Sequence, residues 1–204
     1  YKRQLPKEPG QPPAGRSREV GQDGDRAVTL SRKGEVQALG LLYHGPAVSE
    51  PDAAAFDLAL GVLGDAPSGR LYRRLVEKGL ASSVWVASFG FRDPSGPAFV
   101  MAQVPRDRSL EAAQKVLLET VEGFAQAPPS EEELGRARER ILLYLDSEFA
   151  DLDRFALGLS EWIARGDWRL FFLYRDPASY NPLMLPPLHS LLTPGDPASL
   201  PTHT

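Results

Sequence analysis

Few residues in this sequence could do chemistry. Its three histidines, His44, His189 and His203, fall in predicted loops or tail, none within helical reach of another, and there is no cysteine. Zinc sites are built from His, Cys and carboxylates at short spacing, so no metal site and no catalytic residue is predicted here. The acidic run Glu131-Glu132-Glu133 reads as helix-dipole compensation rather than as a ligand set. No Gly-x-Ser-x-Gly elbow and no Ser/His/Asp set is present. The Gly64 to Gly69 turn could offer free N–H groups to an anion, but it lacks the Gly-x-x-x-x-Gly-Lys-Ser/Thr pattern of a nucleotide loop. What remains is basic. Arg70, Arg73 and Arg74 cluster on one short helix, and Ser82 and Ser83 follow at the start of a strand. If these side chains face a peptide, the guanidinium groups could attract its carbonyls or carboxylates; otherwise they form a solvated basic face.

The elements that would position this cluster are legible in the spacing. Phe56, Leu60 and Leu63 recur at i, i+4 and i+7 with Ala55 and Ala59 beside them, predicting a helix buried on one side. Ser49 and Asp52 predict a capping box at its start, with Pro51 in the first turn. Gly64-Asp65-Ala66-Pro67 ends it, and Ser68 is the expected N-cap of a second, short helix that stops at Gly79. From Ala81 the period becomes two, placing Trp85, Ala87, Phe89 and Phe91 on one face of a strand and Val84, Val86, Ser88 and Gly90 on the other. A turn at Arg92 to Gly96 returns the chain along Ala98 to Val104 as a hairpin.

Upstream, Val28 and Leu30 alternate with polar residues and predict a short strand, joined by a turn at residues 32–35 to a second strand from Val36 to Tyr43. Downstream, Ser109 caps a helix bearing Leu110, Ala113, Leu117, Val121 and Phe124 that runs towards Pro128. Ser130 with Glu133 makes a capping box for the next, whose buried stripe is Leu134, Ile141, Leu145 and Phe149. Leu152, Phe155, Leu159 and either Trp162 or Ile163 mark a further helix ending at Gly166, and Asp167 caps a last one from Trp168 to Arg175. About four strands followed by helices gathered late in the chain predict an α+β fold, an antiparallel sheet covered by helices.

With 204 residues the chain suits one large domain, and three parts are expected: a proline-bearing linker at 1–24, the α+β domain at 25–176 and a proline-rich tail at 177–204. A formal net charge of −4 argues against a general nucleic-acid binder. No apolar run is long enough to span a bilayer.

The wording of residues 64 to 84, GDAPSGRLYRRLVEKGLASSV, closely resembles the insulinase, pitrilysin and mitochondrial-processing-peptidase family of zinc proteases, and the likeness extends through ELGRARERIL and GDWRLFFLYRD to about Arg175. Members pair a catalytic domain, with zinc on a His-x-x-Glu-His helix plus a distant Glu, with a non-catalytic domain of the same fold, the halves enclosing a chamber. The chain has no such motif. The resemblance therefore implies the inactive domain of a bacterial member, with zinc in a partner half, on the same polypeptide or a separate subunit, and peptide as substrate. A purely structural subunit, or an unrelated α+β binding module, is the alternative. Inactive domains of the family often carry an Arg and a Tyr near substrate, in a segment like Leu-Arg-x-Lys-x-Gly-Leu-Ala-Tyr. Here Val76 lies in or beside the Arg slot and Ser82 or Ser83 occupies the Tyr slot. Arg70, Arg73, Arg74, Ser82 and Ser83 are then the substrate-contact candidates. By the same resemblance the compartment leans towards periplasm or cell envelope.

Overall fold

The computed structural model describes residues 24–48, 50–90, 96–165 and 167–175; most of the expected linker and tail, as well as Ser49, Phe91, His189 and His203, lie outside them. Three strands form one antiparallel sheet in the order β1-β3-β2: β1 is Val36–His44, β2 is Ser83–Ser88 and β3 is Pro97–Pro105. The predicted hairpin is β2 with β3, in a register that sets Trp85 opposite Met101 and Ser88 opposite Ala98. β1 lies on the other side of β3, with Gly40 opposite Met101. Along β3 the period-two rule sorts the residues cleanly. Ala98, Val100, Ala102 and Val104 are buried under the helices, while Met101 and Gln103 stay open.

The strand expected at Val28 to Ser31 is not there. Val28 and Leu30 are 83% and 75% exposed and belong to no strand, so the sheet begins with β1. Two alternating apolar residues bury too little surface to offset the entropy of ordering a strand, and no sequence period could supply them with a partner.

Helix α1, Ala53–Gly64, is buried all round rather than on one side: nine of its twelve residues are core. Phe56 and Leu60 pack on Ala98, Tyr43 and Val86 of the sheet, while Leu58, Ala59, Val62 and Leu63 join the main core. The reason is a second layer of helix lying over it, α3, Glu131–Phe149. The start of α1 also differs from the predicted capping box. Asp52 is the N-cap, without a side-chain bond, three residues beyond Ser49.

The later helices follow their signals. Ser109 Oγ accepts from Ala112 N at 3.1 Å to open α2, Leu110–Glu122. It ends at Gly123, well before the prolines. Ser130 and Glu133 complete the predicted capping box at the head of α3. In α4, Leu152–Ala164, Trp162 is the buried choice and Ile163 is 58% exposed, while Leu152, expected in the stripe, is 80% exposed because it opens the helix with no described element packed over it. Asp167 Oδ1 accepts from Arg169 N at 2.9 Å at the head of α5, Arg169–Arg175. Phe149, Phe155, Trp162, Phe171 and Phe172 form an aromatic cluster that ties α3, α4 and α5 together.

Candidate functional site

The basic cluster sits where α1 hands over to β2. The chain leaves α1 through Asp65, whose carbonyl accepts from Gly69 N. A Cβ on Gly69 would lie 2.5 Å from that carbonyl oxygen, so only glycine closes the turn. Ser68 does not cap the next helix as expected. Its hydroxyl donates to the Asp65 carboxylate at 3.0 Å, and Asp65 is also bridged by Arg140 of α3 at 2.6 Å. The carboxylate already within the turn is the stronger acceptor and takes the hydroxyl. The second helix finishes as a π turn, Tyr72–Val76, with Glu77 N donating to Tyr72 O. It stops at Gly79, whose φ of +67° is the left-handed cap the sequence predicts.

The three arginines part company here. Arg70 Nε and Nη2 donate to the two oxygens of Glu133 at 2.9 and 2.8 Å, and its remaining donors reach the carbonyls of Ala127 and Pro128. Its guanidinium also lies 5.0 Å from the Phe124 ring centroid. This is a clamp that fixes the head of α3 to the second helix. With Arg70 as first cause, Glu133 is held down to about 2, far below the usual carboxylate range. Arg73 and Arg74 are exposed; Arg74 approaches Glu119 of α2 at 3.8 Å, and Arg73 makes no ion pair among the described residues. Ser82 and Ser83 are exposed where β2 begins, and Ser82 N and Oγ both donate to Gln103 O. His44 is exposed at the end of β1. Among the described residues no three His, Cys, Asp or Glu gather as a metal-holding group.

Two features were not singled out from the sequence. The first is the sheet face away from the helices. Trp85 is 50% exposed, Phe89 46%, Leu42 62% and Met101 39%; the register sets Trp85 beside Met101 and Leu42 beside Phe99, and Phe89 lies edge-on to Phe99 at 5.5 Å. The second is a cavity of about 710 Å³ between β2 and helices α3 and α4. At its inner wall Asp57 accepts from Ser88 Oγ at 2.8 Å, and burial pushes its carboxyl up from the usual range against that hydrogen bond and the more distant Arg165. Nearby Tyr174 donates to Val48 O at 3.1 Å, and burial raises its phenol as well. The available signal was Asp57 itself, the one charged residue in the otherwise apolar run AAAFDLALGVLG.

The described fold is an antiparallel sheet covered by helices on one face, with a glycine-closed turn into a basic helix, in a sequence that holds no His-x-x-Glu-His motif. The family model for the peptidase M16 inactive domain matches residues 1–141, and the chain belongs to that family. The match includes the stretch expected as linker. Among solved structures, the chain is similar to the inactive peptidase domain of a Bordetella parapertussis protein assigned as a zinc protease: 43% identity, 74% of this chain and 80% of that one covered, TM-score 0.65. A Bordetella pertussis Tohama I protein given the same assignment is 36% identical over 76% of this chain and 87% of its own, TM-score 0.67. A Helicobacter pylori protease, 21% identical with TM-score 0.63, shares the fold; the match covers 71% of this chain and 35% of that one. No curated protein matches. The chain is thus an inactive M16 peptidase-like domain of a zinc protease, and an inactive domain of this family implies a catalytic half elsewhere. Among the described residues, no helix is long and apolar enough to cross a membrane.

Proposed function

We propose that this domain forms the non-catalytic wall of a peptide chamber, with its open sheet face turned towards the space it shares with the zinc-bearing half. The observation that carries this reading is the chemistry of that face. An antiparallel sheet with one side on a helical core normally alternates apolar inwards and polar outwards. Here the outward residues include Trp85, Phe89, Met101 and Leu42, a contiguous apolar surface of the kind that marks a docking or substrate face. Ser83 belongs to the same face as Trp85, and Arg73 and Arg74 stand exposed on the segment leading into β2. These are the groups suited to steer an extended peptide, Arg74 and Arg73 by charge and Ser83 by hydrogen bonding. Arg70 supports the same segment from behind through its clamp on Glu133.

The catalytic contribution of such a wall is geometric. A zinc half open to solvent holds peptide loosely, and closing the cleft fixes attack geometry and excludes water, effects worth orders of magnitude in rate. Zinc, supplied by the partner, would provide the Lewis acid and the activated water. The test combines this chain with the neighbouring His-x-x-Glu-His half and follows cleavage of a fluorogenic peptide. Activity that needs both chains and disappears on zinc chelation supports the wall. Full activity of the catalytic half alone reduces the domain to a structural accessory. Chelation-resistant cleavage by this chain alone refutes the reading.

A further inference from the structure

The cavity beside β2 has the features of a binding site for a positively charged group. Trp85 to Ser88 of β2, with residues of both faces, and Phe89 and Gly90 just beyond it line the cavity, as at a strand edge, and β2 is an outer strand of the described sheet. The opposite wall is α3 and α4, with Ile141, Tyr144, Leu145 and Trp162. At its inner end stands Asp57, held by Ser88 and partly accessible although it sits on the most buried helix of the fold. The cavity's basic groups are already engaged. Arg140 is bridged to Asp65 at 2.6 Å, and Arg165 pairs with Glu161 at 3.7 Å with its guanidinium 4.8 Å from the Trp162 centroid. Its other two acids lack a bridging cation: Asp57 feels Arg165 only from beyond ion-pair distance and Glu148 is hydrogen-bonded with Tyr144, so among the described lining residues four carboxylates face two guanidinium groups.

We propose that this cavity binds an alkylammonium or guanidinium group, with Asp57 as its counter-charge and the aromatic and aliphatic wall taking the stem. A largely desolvated carboxylate with no cation bridging it is costly, and one held at the end of a cavity suits a cationic partner. An aliphatic stem gains from the apolar lining, and a cation beside aromatic rings gains further attraction. Arg165 acts on Asp57 from a longer distance, and its guanidinium is already engaged with Glu161 and Trp162. Two sources present this chemistry: a free amine, or the side chain of a Lys or Arg in a peptide. The site is a property of this chain alone and does not depend on the wall role, so the assembly assay above stands or falls separately.

The experiment titrates the whole chain with n-butylammonium, and with n-butanol and butyrate as neutral and anionic counterparts, following backbone amides of Ser88 and Gly90 and the Trp162 indole by NMR. Saturable shifts are expected with butylammonium, and at least tenfold weaker affinity for butanol and butyrate. Asp57→Asn, which keeps the shape and the acceptor for Ser88, should weaken butylammonium at least tenfold, while Lys115→Gln, exposed on α2 and outside the cavity, should not. Butanol binding as tightly as butylammonium shows a merely apolar cavity, and butyrate binding best shows that Arg165 sets the sign; either overturns the proposal. So does unchanged affinity in Asp57→Asn, or no saturable shift with any probe. Because the three-probe series needs only the native chain, a variant that fails to fold leaves the test intact. N-acetyl-lysine N-methylamide separates the sources: affinity equal to or above that of butylammonium supports the site as a peptide side-chain pocket, and a tenfold loss overturns that arm in favour of free amines.

Discussion

Replacing Arg70 by Met tests whether the basic cluster is divided into a structural arginine and two surface ones. Met keeps an apolar stem near Phe124 but removes both donors to Glu133 and those to the Ala127 and Pro128 carbonyls. The whole lowering of Glu133, from an ordinary 4.5 down to about 2, corresponds to about 3 kcal/mol at full strength, with Arg70 its largest cause and the Ser130 amide and hydroxyl a smaller one. The pair is about one-sixth exposed, 18% and 17%, so solvent screening reduces its share to about 2 kcal/mol. Loss of the ring contact adds about 0.5 kcal/mol. Urea unfolding at pH 7 should therefore show Arg70→Met destabilised by about 2 to 3 kcal/mol. The pH dependence carries a sign. Because the folded value of Glu133 is depressed, its contribution is present in full above about 4.5 and disappears as pH falls towards about 2. The variant's stability should change less across that window than the native chain's. A double-mutant cycle with Glu133→Gln should recover a coupling of about 2 kcal/mol. Arg70→Met within about 0.5 kcal/mol of the native chain, with an unaltered acid limb, would refute the clamp and return Arg70 to the solvated face.

Other outcomes follow from neighbouring features. Arg73→Gln with Arg74→Gln should leave stability within about 1 kcal/mol in the same unfolding assay, yet lower peptide turnover in the assembled enzyme. Asp57→Asn should raise the melting midpoint at pH 7: its folded carboxyl is shifted up, so the native chain loses stability as pH rises through the ordinary carboxylate range, and calorimetry from pH 3 to 7 should show that loss diminished in the variant. Phe171→Ala removes a fully buried ring that meets Phe149, Phe155 and Trp162, and should cost about 3 to 5 kcal/mol with loss of near-ultraviolet circular dichroism. Trp85→Thr on the open sheet face should change stability by less than about 1 kcal/mol while weakening association with the catalytic half in sedimentation experiments.

Local rules alone determined much of this protein. Ser109, the Ser130 and Glu133 box, Asp167 and Gly79 act through atoms a few residues away, so each terminus they mark was readable from spacing. The β2–β3 hairpin was readable for the same reason, since its strands are near neighbours in the chain. The wording of residues 64 to 84 also pointed to the family that the comparisons show. Contacts over long separations were decided only in three dimensions. Phe56, Leu60 and Leu63 gave α1 one apolar face, and only the placement of α3 over it made the helix buried all round. Val28 and Leu30 alternate as a strand would, but a strand exists by pairing, and pairing is not encoded in two residues. Arg70, Arg73 and Arg74 are equivalent as letters; Glu133, 63 residues further on, makes one of them a structural clamp. Asp57 meets Ser88 across 31 residues, and its cavity is bounded by α3 and α4, so its charge amid an apolar helix was visible in the sequence while the site around it was not.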